Sequence, residues 1–111
     1  MKDDRLYLVH IGECITRIEE YTVEGKGNFL ADRKTQDAVL RNLQTMAEST
    51  QRVSVDLKAQ HPEVDWAGVA AFRNVLVHDY LGLNLTRVWE IIERHLSELK
   101  EKTARILDSL K

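Results

Sequence analysis

Apolar residues spaced alternately four and three apart recur along most of this chain, and that spacing constrains its fold more than any other feature. Val39, Leu43, Met46, Thr50, Val53 and Leu57 form one such series, and Leu40 and Ala47 widen it. Tyr7, Ile11, Cys14, Ile18 and Tyr21 form a second; Leu85, Val88, Trp89, Ile92, Leu96, Leu99, Thr103, Ile106 and Leu110 form a third. At about 3.6 residues per turn, each series makes one stripe along a helix, and such stripes are buried most simply against one another. Nothing in the chain alternates with the period of two that strands require. The expected fold is therefore all-α, an antiparallel up-down four-helix bundle in one domain spanning residues 1–111.

The connections follow from local chemistry. The first helix is expected over Asp4–Tyr21, and Gly25 and Gly27 within the run Glu24 to Asn28 mark a turn after it. That turn lacks the glycine spacing and Lys-Ser/Thr ending of a phosphate loop. A second helix begins at a cap near Asp32 or Thr35 and reaches about Ala59. On its seam, Thr50 can bond a carbonyl of its own preceding turn. The break from Gln60 to Asp65 holds the one proline, Pro62, and Asp65 is a natural N-cap for a shorter helix starting at Trp66 and stopped by Gly82. Asn84 or Thr86 caps the last helix, which reaches almost to the end as a rod of roughly 40 Å at about 1.5 Å per residue.

With 111 residues, 43% of them hydrophobic and 31% charged, the composition is that of a water-soluble helical domain. No apolar run approaches the roughly 18 residues of a membrane span, and the charged start lacks a secretory signal, so a cytoplasmic location is expected. A single cysteine, Cys14, allows no intrachain disulfide and no cysteine-based metal cluster. The formal net charge of −2 argues against broad electrostatic capture of nucleic acid, so an RNA contact has to use a local patch and no DNA partner is expected.

Chemistry concentrates between Arg73 and Tyr80. Taking Arg73 as zero on a helical wheel, Asn74 falls near about 100°, His78 near about 140° and Tyr80 near about −20°. Phe72, Val75 and Leu76 occupy the opposite arc. Asn74 and His78, four apart, can hydrogen-bond. Each residue alone has an ordinary reading: a histidine capping a helix end, an arginine in an ion pair, a core tyrosine with a wet hydroxyl. Glu48, beside the second stripe, could face this cleft, although a solvated glutamate is the simpler reading. His10, His61 and His95 read as surface or rim residues; His10 lies four before Cys14, but no further ligands accompany the pair.

Arg73, four residues, His78, one residue and Tyr80, with Asn74 following the arginine, resembles the R-x4-H-x-Y signature of the HEPN superfamily in its HepT-type toxin branch. The similarity extends to Trp66, to the run from Leu76 to Tyr80, to Leu81 through Leu85, to Val88 and Trp89, and upstream to the run Asp37 to Leu43. Ala71, Phe72, Asp65 and Ser97 depart from the common pattern, and none of them is a signature residue. The resemblance implies a HEPN-like bundle, a two-fold homodimer and a metal-independent endoribonuclease that needs no cofactor. RNA supplies its own nucleophile, the 2′-OH, so the protein has only to move protons and stabilise charge. His78 would be the acid or base, Arg73 the phosphate-holding group, and Asn74 would orient His78 or bond the substrate. It further implies a toxin of the HepT/MntA-like type VII systems, whose nucleotidyltransferase (MNT-type) antitoxin adenylylates the tyrosine at the position of Tyr80. Two other readings compete with this one. A non-catalytic helical module could dock a nucleotide or partner protein on the same face, or a structural dimer could use the polar residues only to satisfy buried groups.

Overall fold

The structure is a computed structural model, and it describes residues 2–79 and 82–110. Every regular element among them is helical. In chain order they are α1 (Lys2–Tyr21), α2 (Lys26–Ala31), α3 (Arg33–Arg52), α4 (Val55–Gln60), α5 (Trp66–His78), α6 (Leu85–Ile91), a π-helical segment (Ile92–Leu96) and α7 (Ser97–Ser109). Four long rods, α1, α3, α5 and the continuous α6 to α7, make the bundle, and its longest dimension is 41 Å. No helix is long and apolar enough to cross a membrane among the described residues.

α1 lies between α3 and α7, and α3 lies between α1 and α5. Two cross-links give α1 and α3 their antiparallel register: Asp4 meets Ser54 at one end, and His10 meets Ser49 two turns along. The seam between them is dry. Ile11, Cys14, Ile15 and Ile18 of α1 and Val39, Leu43 and Ala47 of α3 are fully buried. Burying an aliphatic side chain of this size contributes about 1.5–3 kcal/mol, so this helix pair holds much of the fold's apolar stabilisation. The expected stripe on α1 is right at its centre and wrong at its end. Tyr21 is 40% exposed, while Leu8 and Ile15 fill the seam instead. The Thr50 hydroxyl bonds the Met46 carbonyl at 2.9 Å, as its place on the seam predicts.

Three connections differ from the sequence expectation. The glycine-containing stretch after α1 is not all turn: Gly25, at φ 92°, turns the chain left-handed, and α2 starts at once. Phe29 on α2 is fully buried and lies 5.6 Å, centroid to centroid, from the Trp89 ring of α6. The Gln36 amide on α3 donates to the carbonyls of Phe29 and Leu30, so α2 is finished by side-chain chemistry seven residues downstream. The second helix does not continue to Ala59 but breaks at Val53, where ψ swings to 139°. The buried Asp4 carboxylate accepts from both Ser54 N and Ser54 Oγ at 2.7 Å, and Ser54 Oγ accepts from Leu57 N to cap α4. A carboxylate from α1 thus captures the backbone of α3 and ends it.

Of the expected caps, Asp65 Oδ1 accepts from Gly68 N at 2.9 Å, and Asn84, rather than Thr86, accepts from two backbone amides at the start of α6. Asp32 precedes α3, and its carboxylate takes the Thr35 hydroxyl more closely than the backbone amides of the first turn. That hydroxyl is the main reason the Asp32 carboxyl titrates below its ordinary range. Gly82 is not the residue that stops α5. The helix ends at His78 with Asp79 as its C-cap, and Gly82 N donates to the Asp79 carbonyl at 3.0 Å. A Cβ at Gly82 would stand 2.6 Å from Asp79 Oδ1, the end of an exposed side chain that can turn aside.

Candidate active site

α5 has an apolar composition but little burial. Only Leu76 is fully buried along it, while Val75 and Val77 are 46% and 37% exposed. Val75, expected on the core arc with Phe72 and Leu76, is therefore a surface residue. The cause is the packing arrangement: α5 leans chiefly on α3, so just one side of it meets the core.

The candidate residues lie on the open side. Arg73 is half-buried, with its side chain 28% exposed, and Asn74 and His78 are exposed. Arg73 Nη1 donates to Asn74 Oδ1 at 3.3 Å. The Asn74 amide thus turns toward its neighbour, and no hydrogen bond joins it to His78 among the described residues, although the two are one turn apart. On the other flank, Arg73 Nη2 lies 3.7 Å from Glu48 Oε2 of α3. Arg73 Nε is buried and has no hydrogen-bond partner among the described residues. His78 is the last residue of α5, where an imidazolium would interact favourably with the carbonyl end of the helix. Tyr80, the expected modification site, lies outside the described residues.

Arg73, Asn74 and His78 therefore share one accessible face, and Glu48 joins them from the neighbouring helix. A guanidinium can bind a phosphate through paired N–H donors, and an exposed imidazole one or two turns away can exchange a proton with a group on it. The sequence allows Glu48 to face this cleft but favours a solvated glutamate. Its place next to the α3 stripe was the available signal, but it did not show which neighbouring helix the side chain meets.

Other candidate chemistry falls elsewhere. His10 is a half-buried rim residue, yet it is engaged: its Nδ1 is 2.6 Å from Ser49 Oγ and its Nε2 is 3.8 Å from Cys14 Sγ, so it ties α1 to α3. Burial pushes the Cys14 thiol above its ordinary range, against a smaller opposing effect of Arg17, which makes it a poor nucleophile at neutral pH. His61 Nδ1 is 3.0 Å from Glu63 Oε2, and the His61 carbonyl accepts from Trp66 Nε1. No three His, Cys, Asp or Glu side chains converge as metal ligands would among the described residues. A cavity of about 270 Å³ opens between α3, α5 and α7, with Leu43, Met46, Phe72 and Leu99 in its wall. None of Arg73, Asn74 and His78 lines it. The carboxylates of Glu63, Asp65 and Glu98 also line it and would repel a polyanion, so the open face of α5 is the better candidate.

The profile of the ribonuclease HepT-like family matches residues 11–106. The chain belongs to the ribonuclease HepT-like family. It is 37% identical over 101 residues to a Thermococcus cleftensis protein named probable ribonuclease HepT, covering 90% of this chain and 92% of that one. It is 31% identical over 110 residues to a Methanocaldococcus jannaschii protein whose name joins gamma-glutamylcyclotransferase to an RNase designation. That match covers 98% of this chain but 50% of the relative, so the chain spans half the length of that protein. The Shewanella oneidensis mRNA nuclease HepT is 28% identical over 115 residues, covering 82% of this chain and 86% of its own. No solved structure matches. The HepT-like match runs through α3 and α5 alike, so it includes Arg73, Asn74, His78 and also Glu48.

Proposed function

We propose that this chain is an endoribonuclease that cleaves RNA by attack of its own 2′-OH, and that it is the toxin of a toxin–antitoxin pair in the cytoplasm. The observation that carries this reading is the grouping of Arg73, Asn74 and His78 on one accessible face of α5. The names of the relatives, a ribonuclease HepT and an mRNA nuclease HepT, support the same substrate class.

In this reading the 2′-oxygen attacks phosphorus while His78 takes its proton, and the Arg73 donors stabilise the added negative charge. The P–O5′ bond breaks, leaving a 2′,3′-cyclic phosphate on one fragment. The departing 5′-oxygen takes a proton on the far side of the phosphorus, which one imidazole near the 2′-OH cannot deliver. A two-fold dimer supplies a second His78 for this step. Val75, exposed on α5 on the flank next to His78, is an apolar residue through which two copies would meet. The partner antitoxin, a nucleotidyltransferase, would silence the enzyme by adenylylating Tyr80, placing phosphate and bulk next to the donors meant for RNA.

The test is cleavage of a defined RNA in excess EDTA by the wild-type protein and by Arg73→Ala and His78→Ala variants, reading the 3′ ends of the fragments. Cyclic-phosphate ends that fall about 100-fold or more in both folded variants are expected. Cleavage that stops in EDTA, or that survives both substitutions, sinks the reading.

A further inference from the structure

Glu48 stands where a phosphate-binding site should not want it. A carboxylate 3.7 Å from the guanidinium of Arg73 opposes the approach of any phosphate to that guanidinium. Stability does not explain its presence, because an ion pair whose two side chains are 28% and 39% exposed contributes little to holding helices together. The remaining donors of Arg73 point to another role. Nη1 is engaged with Asn74 Oδ1, while Nε is buried without an acceptor among the described residues, a condition that folded proteins seldom leave uncorrected. At 3.7 Å the Glu48 oxygen is within ion-pair range of Nη2 yet beyond hydrogen-bond range, so the contact is only part-made.

We infer that Glu48 is a positioning residue for Arg73: its carboxylate closes onto the Nε–Nη2 edge of the guanidinium when RNA binds, leaving the remaining N–H of each terminal nitrogen directed at the phosphate. This role rests on Arg73 holding phosphate in the proposed ribonuclease reaction. A carboxylate gripping two parallel N–H groups fixes the plane of a guanidinium, as a single contact cannot. Glu48 comes from α3, whose seam with α1 is fully buried, whereas Asn74 is the sequence neighbour of Arg73 and moves with it. The fixed reference for the guanidinium is therefore the neighbouring helix. The arrangement trades affinity for rate, since the acid weakens RNA binding in the ground state and sharpens the alignment that counts in the transition state.

That trade gives an unusual signature. In Glu48→Gln and Glu48→Ala, kcat is expected to fall about 10- to 100-fold, as misplacement of a catalytic group does. The Kd for a 2′-O-methyl RNA that cannot be cleaved is expected to tighten, because a negative charge has left the site. Glu48→Asp, which keeps the charge on a shorter arm, should recover part of kcat in the absence of any change in thermal midpoint. A kcat within twofold of wild type in Glu48→Ala, or weaker RNA binding, overturns the proposal. A readout independent of cleavage separates this inference from the reading it rests on. With RNA analogue bound, the Nε–Hε signal of Arg73 in nitrogen-edited NMR should be sharp and protected in wild type and broadened in Glu48→Ala. Equal signals in the two proteins overturn the positioning role, even if wild-type protein cleaves nothing.

Discussion

Helices α1 and α5 each carry a histidine paired at a spacing of four with a second polar or soft group, His10 with Cys14 and Asn74 with His78. In α1 the histidine is used up. Its two ring nitrogens face Ser49 and Cys14, and the residues around it are buried. In α5 the histidine is exposed, its partner at the same spacing faces Arg73 instead, and the neighbouring arginine keeps a buried donor without an acceptor among the described residues. Helical geometry is the same in both cases. What differs is that α1 is packed on two sides, by α3 and α7, and α5 chiefly on one. Groups on a helix enclosed from two sides find protein partners; groups on a helix with a free side remain available for a ligand or a second copy of the chain.

The largest effect should come from closing that free side to a second copy. Val75→Glu puts a charge on the exposed apolar face of α5, where the side chain is 46% accessible and monomer stability should change by no more than about 0.5 kcal/mol. Sedimentation should show the assembly reduced to monomer, with RNA cleavage down about 100-fold or more, because proton delivery to the leaving oxygen is lost. A variant that still sediments as a dimer would show that α5 is not the contact face, and the comparison between the two helices would lose its meaning.

This contrast also explains what could be read in the sequence. The stripes on α1, α3 and the last rod were legible because Ile11, Cys14, Ile18, Leu43, Leu96 and Ile106 obey a period imposed by burial itself. Asp65 and Asn84 were legible as caps because capping acts over two or three residues. The break at Val53 was hidden, since its cause, the Asp4 carboxylate, is fifty residues away. α2 was hidden by its glycines, and the ring that anchors it, Trp89, is sixty residues on. In the candidate site, Arg73, Asn74 and His78 stood out by their proximity in sequence and by family likeness, whereas Glu48 depended on which helix packs next to α5. Val75 misled for the reason that makes it informative. Periodicity marks an apolar face without saying whether this chain or another one covers it.

A smaller effect sharpens the comparison of the two histidines directly. His10→Ala leaves the buried Ser49 hydroxyl without its 2.6 Å partner and opens space beside Cys14, so denaturant unfolding should show a loss of about 1–2 kcal/mol. Cleavage by the folded fraction should not change. His78→Ala should show the reverse, full activity loss with stability within about 0.5 kcal/mol of wild type. Equal destabilisation by the two substitutions would mean that His78 is structural after all, and that accessibility on α5 is a poor guide to role.

The smallest effect concerns a third pair at the same spacing. On α7, Lys102 Nζ donates to Glu98 Oε1 at 2.6 Å, and Lys102 also reaches the Glu63 carbonyl at 2.7 Å. The hydrogen bond and then the charge of Lys102 hold the Glu98 carboxyl below its ordinary value of 4.5. Because the folded-state pKa is the lower one, the stabilisation is complete above the unfolded value and disappears as pH falls through the folded value. Glu63 is lowered in the same direction, first by its own backbone N–H and then by His61, so it adds to the acid sensitivity of this end of the molecule. Both carboxylates are open to water, which limits the size of the effect. Thermal midpoints of wild type and Glu98→Gln should therefore differ slightly at pH 7 and converge as the pH falls well below 4.5, with the difference also shrinking in about 1 M salt. A difference that persists at low pH or in salt would mean that Glu98 acts through packing, and that a third pair at this spacing is governed by burial as His10 and Cys14 are.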